Sequence, residues 1–180
     1  QNLYEEQRGK FVENNLVAYY PLDGNANDMS GNNLNGSWSG TESYTSGLWN
    51  TNAGDFDGSS YINFEGVNDF SINDGSNDFP LSVSAWIWQQ ENTYFPIVTK
   101  MTGDTSTWEW FFSVRNNENF HDLAFRFYSG GGADTLYSAI EWDNSEEWTH
   151  VTCTYDGSQT INGIKCYING ELGKVVSSQN

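Results

Sequence analysis

WTHVTCTYDGSQTINGIKCYI, residues 148–168, reads as two β-strands joined by a turn. Apolar residues alternate with Thr, His and Lys on either side of a Gly/Ser/Asn cluster, the period-2 pattern of strands that bury one face. A slip of one residue would turn the apolar set toward solvent, so the register is tightly constrained. With residues 157–162 as the loop, Val151, Cys153 and Tyr155 stand against Ile168, Cys166 and Ile164 on the core side. His150 falls on the outward face, and Cys153 and Cys166 are directly opposed. Such a pair closes a disulfide at a non-hydrogen-bonded site, where Cα atoms approach to ~4.5 Å. A bridge would imply an oxidising compartment. Two buried thiols packed as small apolar groups satisfy the same pattern, and two cysteines alone leave both readings open.

The same reasoning applies upstream to WEWFFSVRNNENFHDLAFRFY, residues 108–128. With residues 116–121 as the loop, Trp110, Phe112 and Val114 face Phe127, Phe125 and Leu123 on the core side. The other face carries Glu109, Phe111, Ser113 and Arg115 opposite Tyr128, Arg126, Ala124 and Asp122, a polar and aromatic outward surface. Further short runs are LVAYY (16–20), YINF (61–64) and LSVSAWIW (81–88), punctuated by Gly, Asn, Asp and Ser. This rhythm predicts an all-β, antiparallel, two-sheet β-sandwich or jelly roll. The stretch 2–15 is the only candidate for a short helix, so 1–15 reads as an N-terminal segment or linker and 16–180 as the sandwich domain.

At 180 residues the length fits one domain, and 37% hydrophobic residues suffice for a core. Seven Lys+Arg against 24 Asp+Glu give a formal charge of −17. That field repels phosphate backbones and anionic lipid, which argues against nucleic-acid and membrane-surface binding. No apolar stretch approaches the ~20 residues of a membrane span. The 8 Trp, 10 Tyr and 11 Phe exceed what a core of this size ordinarily uses, so some are expected at a binding surface.

Five strings taken in order resemble the laminin G-like, concanavalin A-like lectin/glucanase superfamily, in its bacterial accessory-module form. They are LVAYYPLDGNANDMSGNNLNG (16–36), FDGSSYINF (56–64), LSVSAWIW (81–88), EEWTHVTCTYDG (146–157) and CYINGEL (166–172). The resemblance implies a concanavalin A-like jelly roll and, most often, glycan binding or adhesion in a secreted or cell-surface protein. Members of that family usually continue past the last string into two more strands, which this sequence does not show.

Asp23, Asn25, Asn27, Asp28 and Asn33 place hard oxygen ligands in one Gly-containing loop. The start D-x-N-x-N echoes an EF-hand, but position six is Asp28 and position twelve is Leu34, so it is not one. The resemblance points to a structural Ca²⁺ here, with Asp28 the carboxylate ligand supported by Asp23, Asn25 and Asn33. An Asn/Gly/Asp turn bonded to its own backbone has the same composition. EWDNSE (141–146) matches the E-x-D-x-x-E signature of some concanavalin A-like glycoside hydrolases. Retaining chemistry needs both carboxyls at ~5 Å on one face, whereas Asn144 and Ser145 signal a turn between Glu141 and Glu146. His121 and His150 have no nucleophile partner, the cysteines lack zinc-ligand spacing, and Gly130 to Gly132 do not open a phosphate-binding helix.

The resemblance assigns Trp86 and Trp148 to packing. Trp88 departs from it, standing where the family carries a polar or basic residue. Grouped with Glu109, Arg115, Arg126 and Tyr128, Trp88 would form a stacking and hydrogen-bonding surface for a glycan, and two arginines on one face suggest an anionic one. The alternative is that the face is covered or that Arg115 pairs with Asp122. The leading expectation is therefore a non-catalytic, calcium-stabilised carbohydrate-binding module of a larger protein. A structural or adhesive module that binds no sugar is the second reading, and a glycoside hydrolase using Glu141 and Glu146 the third.

Overall fold

The computed structural model describes residues 15–64, 70–73, 77–89, 94–101, 104–117, 120–128, 134–143 and 146–179. The helix candidate at 2–15, apart from Asn15, and the glycines at 130–132 lie outside them. No α-helix occurs among the described residues; the regular structure is antiparallel β-strand with short 3-10 turns. The chain divides into two compact units, Gln1–Phe70 and Ser71–Asn180.

The first unit contains two strand pairs. β1 (Gly36–Ser39) pairs with β4 (Tyr61–Phe64), and β2 (Tyr44–Ser46) with β3 (Asn52–Gly54). Trp38 stacks on Phe56 at 4.9 Å between ring centroids and donates its indole N–H to the Tyr44 hydroxyl at 2.9 Å. LVAYY, read as a strand, is not one. Its backbone groups are taken by the loop that follows: Asn32 Nδ2 donates to the carbonyls of Leu16 and Val17, both at 2.9 Å, and the Met29 N–H donates to that of Tyr19. Polar side chains here offer the backbone an alternative to a sheet ladder.

The second unit is the β-sandwich. One sheet runs in the order β12 (Glu171–Leu172), β11 (Ile164–Ile168), β10 (Thr149–Tyr155), β5 (Leu81–Ile87). The other runs β13 (Val175–Gln179), β9 (Asp134–Glu141), β8 (Phe120–Tyr128), β7 (Trp110–Asn117), β6 (Tyr94–Lys100). Both hairpin registers expected from the alternation are present, Trp110 opposite Phe127 and Cys153 opposite Cys166 among them. Pairing of β7 and β8 continues through Asn116–His121 to Asn117–Phe120, so the loop is shorter than the predicted 116–121. Ladder hydrogen bonds come from the backbone and tolerate polar side chains at the hairpin end.

The core lies between the sheets. Phe112, Phe125, Val114, Leu123, Ile140, Val151 and Tyr155 are all buried, and Phe127 meets Tyr155 across the layers at 4.5 Å between ring centroids. Each such side chain contributes about 2 kcal/mol on burial. Cys153 and Cys166 are joined as a disulfide with Cα atoms 4.1 Å apart, the close spacing of a non-hydrogen-bonded pair. The Tyr155 hydroxyl donates to Asp78 and accepts from the Gln159 N–H at 2.9 Å; burial first and Asp78 second push it well above the usual phenol range.

Chain passage from β12 to β13 crosses from one sheet to the other in two residues. The Gly173 N–H donates to the Cys166 carbonyl at 2.9 Å, and the Lys174 carbonyl accepts from Glu141 at 3.1 Å. A β-carbon on Gly173 would collide with Ile140, so the close approach requires glycine. Among the described residues β6 and β13 are the outer strands of the five-stranded sheet. Pairing shifts register between Pro96 and Val98 in β6 and between Val175 and Ser177 in β13.

Candidate functional site

Trp88, Glu109, Arg115, Arg126 and Tyr128 do not share a surface. Trp88 directly follows β5 of the four-stranded sheet, while the other four lie on or beside β7 and β8 of the five-stranded sheet. The face of that sheet turned away from the core is itself buried. Phe111, Ser113, Ala124, Arg126 and Ala139 are all buried, which the alternation could not reveal because it reports polarity and not cover.

The charged members of the expected set are also engaged. Arg115 grips Asp122 directly across the hairpin with two parallel hydrogen bonds, Nε to Oδ1 at 2.9 Å and Nη2 to Oδ2 at 2.5 Å, the fork geometry that favours arginine. Arg126 donates to Ser113 Oγ at 3.2 Å, and its guanidinium carbon lies 5.5 Å from the Tyr137 ring centroid. Glu109 is ion-paired with Lys100 and accepts from the Ser71 hydroxyl at 3.1 Å and the Ile72 N–H at 3.2 Å. Tyr128 packs edge-on against Trp108 at 5.5 Å.

An exposed aromatic cluster lies instead on the outer face of the four-stranded sheet. Along β5 the burial alternates, with Leu81, Val83, Ala85 and Ile87 toward the core and Ser82, Ser84 and Trp86 outward. Trp86, expected in the core, is 43% exposed, and Trp88 47%. The register puts Trp86 opposite His150, with ring centroids 5.1 Å apart. One pair further, Trp88 meets half-buried Trp148 edge-on at 6.0 Å. The next rows are Ser84, Thr152, Tyr167 and Leu172, then Ser82, Thr154 and Lys165. Rows on one face are ~7 Å apart. Aromatic rings therefore occupy one end of this face and hydroxyls the other.

His150 connects the two. Its Nε2 is 2.8 Å from Ser84 Oγ, and its main-chain N–H donates to Asn169 Oδ1 at 3.0 Å. Burial holds the imidazole below the ordinary histidine value, so the ring is neutral at physiological pH. Asn169 also lines a shallow groove of about 400 Å³ with Asp143, Ile168, Glu171, Leu172 and Gly173. The buried tryptophan of this region is Trp142, whose indole N–H donates to buried Gln89 at 3.1 Å. The parity of LSVSAWIW held the missed signal: Trp86 and Trp88 are in step with Ser82 and Ser84, not with Val83 and Ile87.

A model of the concanavalin A-like lectin/glucanases superfamily, laminin G type, matches residues 56–179. The chain belongs to this superfamily. No curated protein and no solved structure gives a significant match. The superfamily's description names both lectins and glucanases, so binding and hydrolysis must be weighed on this member's own residues.

The loop expected to hold calcium is arranged around Asp28. Its Oδ1 accepts from the N–H groups of Tyr19 at 3.0 Å and Ser30 at 2.8 Å, and its Oδ2 from the Ser30 hydroxyl at 2.8 Å and the Leu34 N–H at 3.0 Å. Four donors fill the lone-pair positions of a carboxylate. Asp23 accepts from the Asn52 N–H at 2.8 Å, Asn25 from the Asn27 N–H at 2.9 Å, and Asn33 has left-handed backbone at φ 60°. Among the described residues no three His, Cys, Asp or Glu side chains gather as metal ligands. In this arrangement N–H and O–H donors take up the Asp28 carboxylate, the position expected to face the cation.

Glu141 and Glu146 are not a strand-face pair. Glu141 ends β9, where its cross-strand neighbour is Asp122, and Glu146 sits at a left-handed residue in the connection to β10 with its N–H on the Gln89 carbonyl.

Proposed function

We propose that this superfamily member is a non-catalytic carbohydrate-binding module. The observation that carries the reading is the aromatic cluster of exposed Trp86 and Trp88 with half-buried Trp148 and His150, continuous with a ladder of Ser and Thr hydroxyls. Aromatic faces stack on the C–H faces of pyranose rings, and hydroxyls, Asn169 and the neutral imidazole hydrogen-bond their rims. Strands β5 and β10 hold Trp86 and His150, and Trp88 and Trp148 directly flank those strands. Hydrolysis is disfavoured because Asp122, the carboxylate beside Glu141, is held by Arg115.

The disulfide supports a secreted or cell-surface setting. Attachment to a larger polysaccharide-degrading or adhesive protein accords with the accessory-module resemblance. Screening the folded protein on a glycan array tests the reading. Saturable binding that Trp86→Ala abolishes is the expected result, and a blank array from correctly folded protein would indicate a structural module.

A further inference from the structure

We infer that the aromatic surface of the four-stranded sheet takes a neutral polysaccharide chain and excludes anionic glycans. The inference rests on the carbohydrate-binding reading above and assigns its ligand class.

An anionic sugar is ordinarily read by arginine forks or lysines beside the stacking ring. Among the described residues none stands in the aromatic rows. Those rows hold Trp88 and Trp148, then Trp86, His150 and Asn169. Among the described strand residues the cation of this face is Lys165, two rows beyond Trp86 and therefore ~14 Å away along the strands. That separation exceeds a Debye length of about 8 Å at physiological salt.

Asp143 and Glu171 line the groove that shares Asn169 with the aromatic end, and the whole chain carries −17. Carboxylates accept hydrogen bonds from sugar hydroxyls and repel uronate or sulfate groups. Arg115 and Arg126, whose presence suggested an anionic ligand, are bound to Asp122 and enclosed beside Ser113 and Tyr137. Trp86 and Trp88 lie two residues apart on one face, so neighbouring rings of a chain can stack on both. The groove beyond Asn169 leaves room for the chain to continue.

The test is affinity electrophoresis through gels containing a neutral β-glucan, xylan or galactomannan, or else polygalacturonate, alginate or a sulfated galactan. Each gel is run at low and high ionic strength, with thermal melts to verify that Trp86→Ala and Trp88→Ala are folded. Retardation by a neutral polymer, insensitive to salt and weakened about tenfold or more in each variant, is expected. Retardation by polyanions alone would overturn the ligand class while leaving carbohydrate binding in place. Binding of a neutral polymer that neither variant weakens would overturn the location. Failure with every polymer would overturn the carbohydrate-binding reading itself.

Discussion

Trp86 stands directly across β5 and β10 from His150, their rings 5.1 Å apart, with the Ser84 hydroxyl 2.8 Å from the imidazole Nε2. Burial lowers the His150 pKa, so the folded state takes up this proton less readily than the unfolded chain. Stability from this site is fully present above about pH 6.5, the unfolded value, and is lost as pH falls from there through the lower folded value. Between about pH 7 and about pH 5, the wild type should lose more melting temperature than His150→Gln. Parallel curves for the two proteins would show that His150 does not couple to folding.

Reduction should weaken the protein measurably. The bridge between Cys153 and Cys166 spans a sequence separation of 13, for which unfolded-state restriction contributes about 3 kcal/mol. Urea unfolding with and without a thiol reductant measures the loss. A Cys153→Ala/Cys166→Ala double variant should show a similar loss and no response to reductant.

Asp28 should behave as the anionic centre of its loop. Asp28→Ala removes four hydrogen bonds at once and should cost about 2 kcal/mol, since water satisfies part of what is lost. Burial raises this carboxyl, and the bonds from Tyr19, Ser30 and Leu34 together more than reverse it, giving a net lowering. Its contribution is therefore present above about pH 3.9 and lost as pH falls through the folded value. Chelation by EDTA should leave the melting temperature unchanged; a chelator-dependent fall that added calcium restores would show that a cation displaces these donors.

The Arg115–Asp122 pair should matter for stability and not for glycan binding. Asp122 is nearly inaccessible, so either single alanine variant leaves its partner poorly compensated and should cost about 3 kcal/mol. The double variant should lose less than the two singles combined, and a full cycle of unfolding free energies measures the coupling.

Much of the sandwich was legible because one-sided burial leaves a period-2 trace. Val151, Cys153 and Tyr155 could face Ile168, Cys166 and Ile164 in only one register, and Trp110, Phe112 and Val114 were constrained the same way. Strand β6 left no such trace, since Pro96 and a register shift interrupt YFPIVTK. Two placements differ from expectation, each for its own reason. Phe111 and Arg126 alternate as an outward face should, yet that face is covered, and alternation carries no information about cover. Trp86 was assigned to the core by resemblance although its parity with Ser82 and Ser84 placed it outside. The Asp28 loop was ambiguous for a chemical reason: the oxygens that suit a cation suit backbone N–H groups equally well.

The interrupted outer strands have a further consequence. Pro96 supplies no N–H, and the slips beside it in β6 and between Val175 and Ser177 in β13 break the straight row of donors and acceptors that another strand would need. Among the described residues, neither edge of the larger sheet is a template for fibril growth. Strand β5, an outer strand of the smaller sheet among the described residues, pairs without a register shift from Leu81 to Ile87, so this protection belongs to the larger sheet.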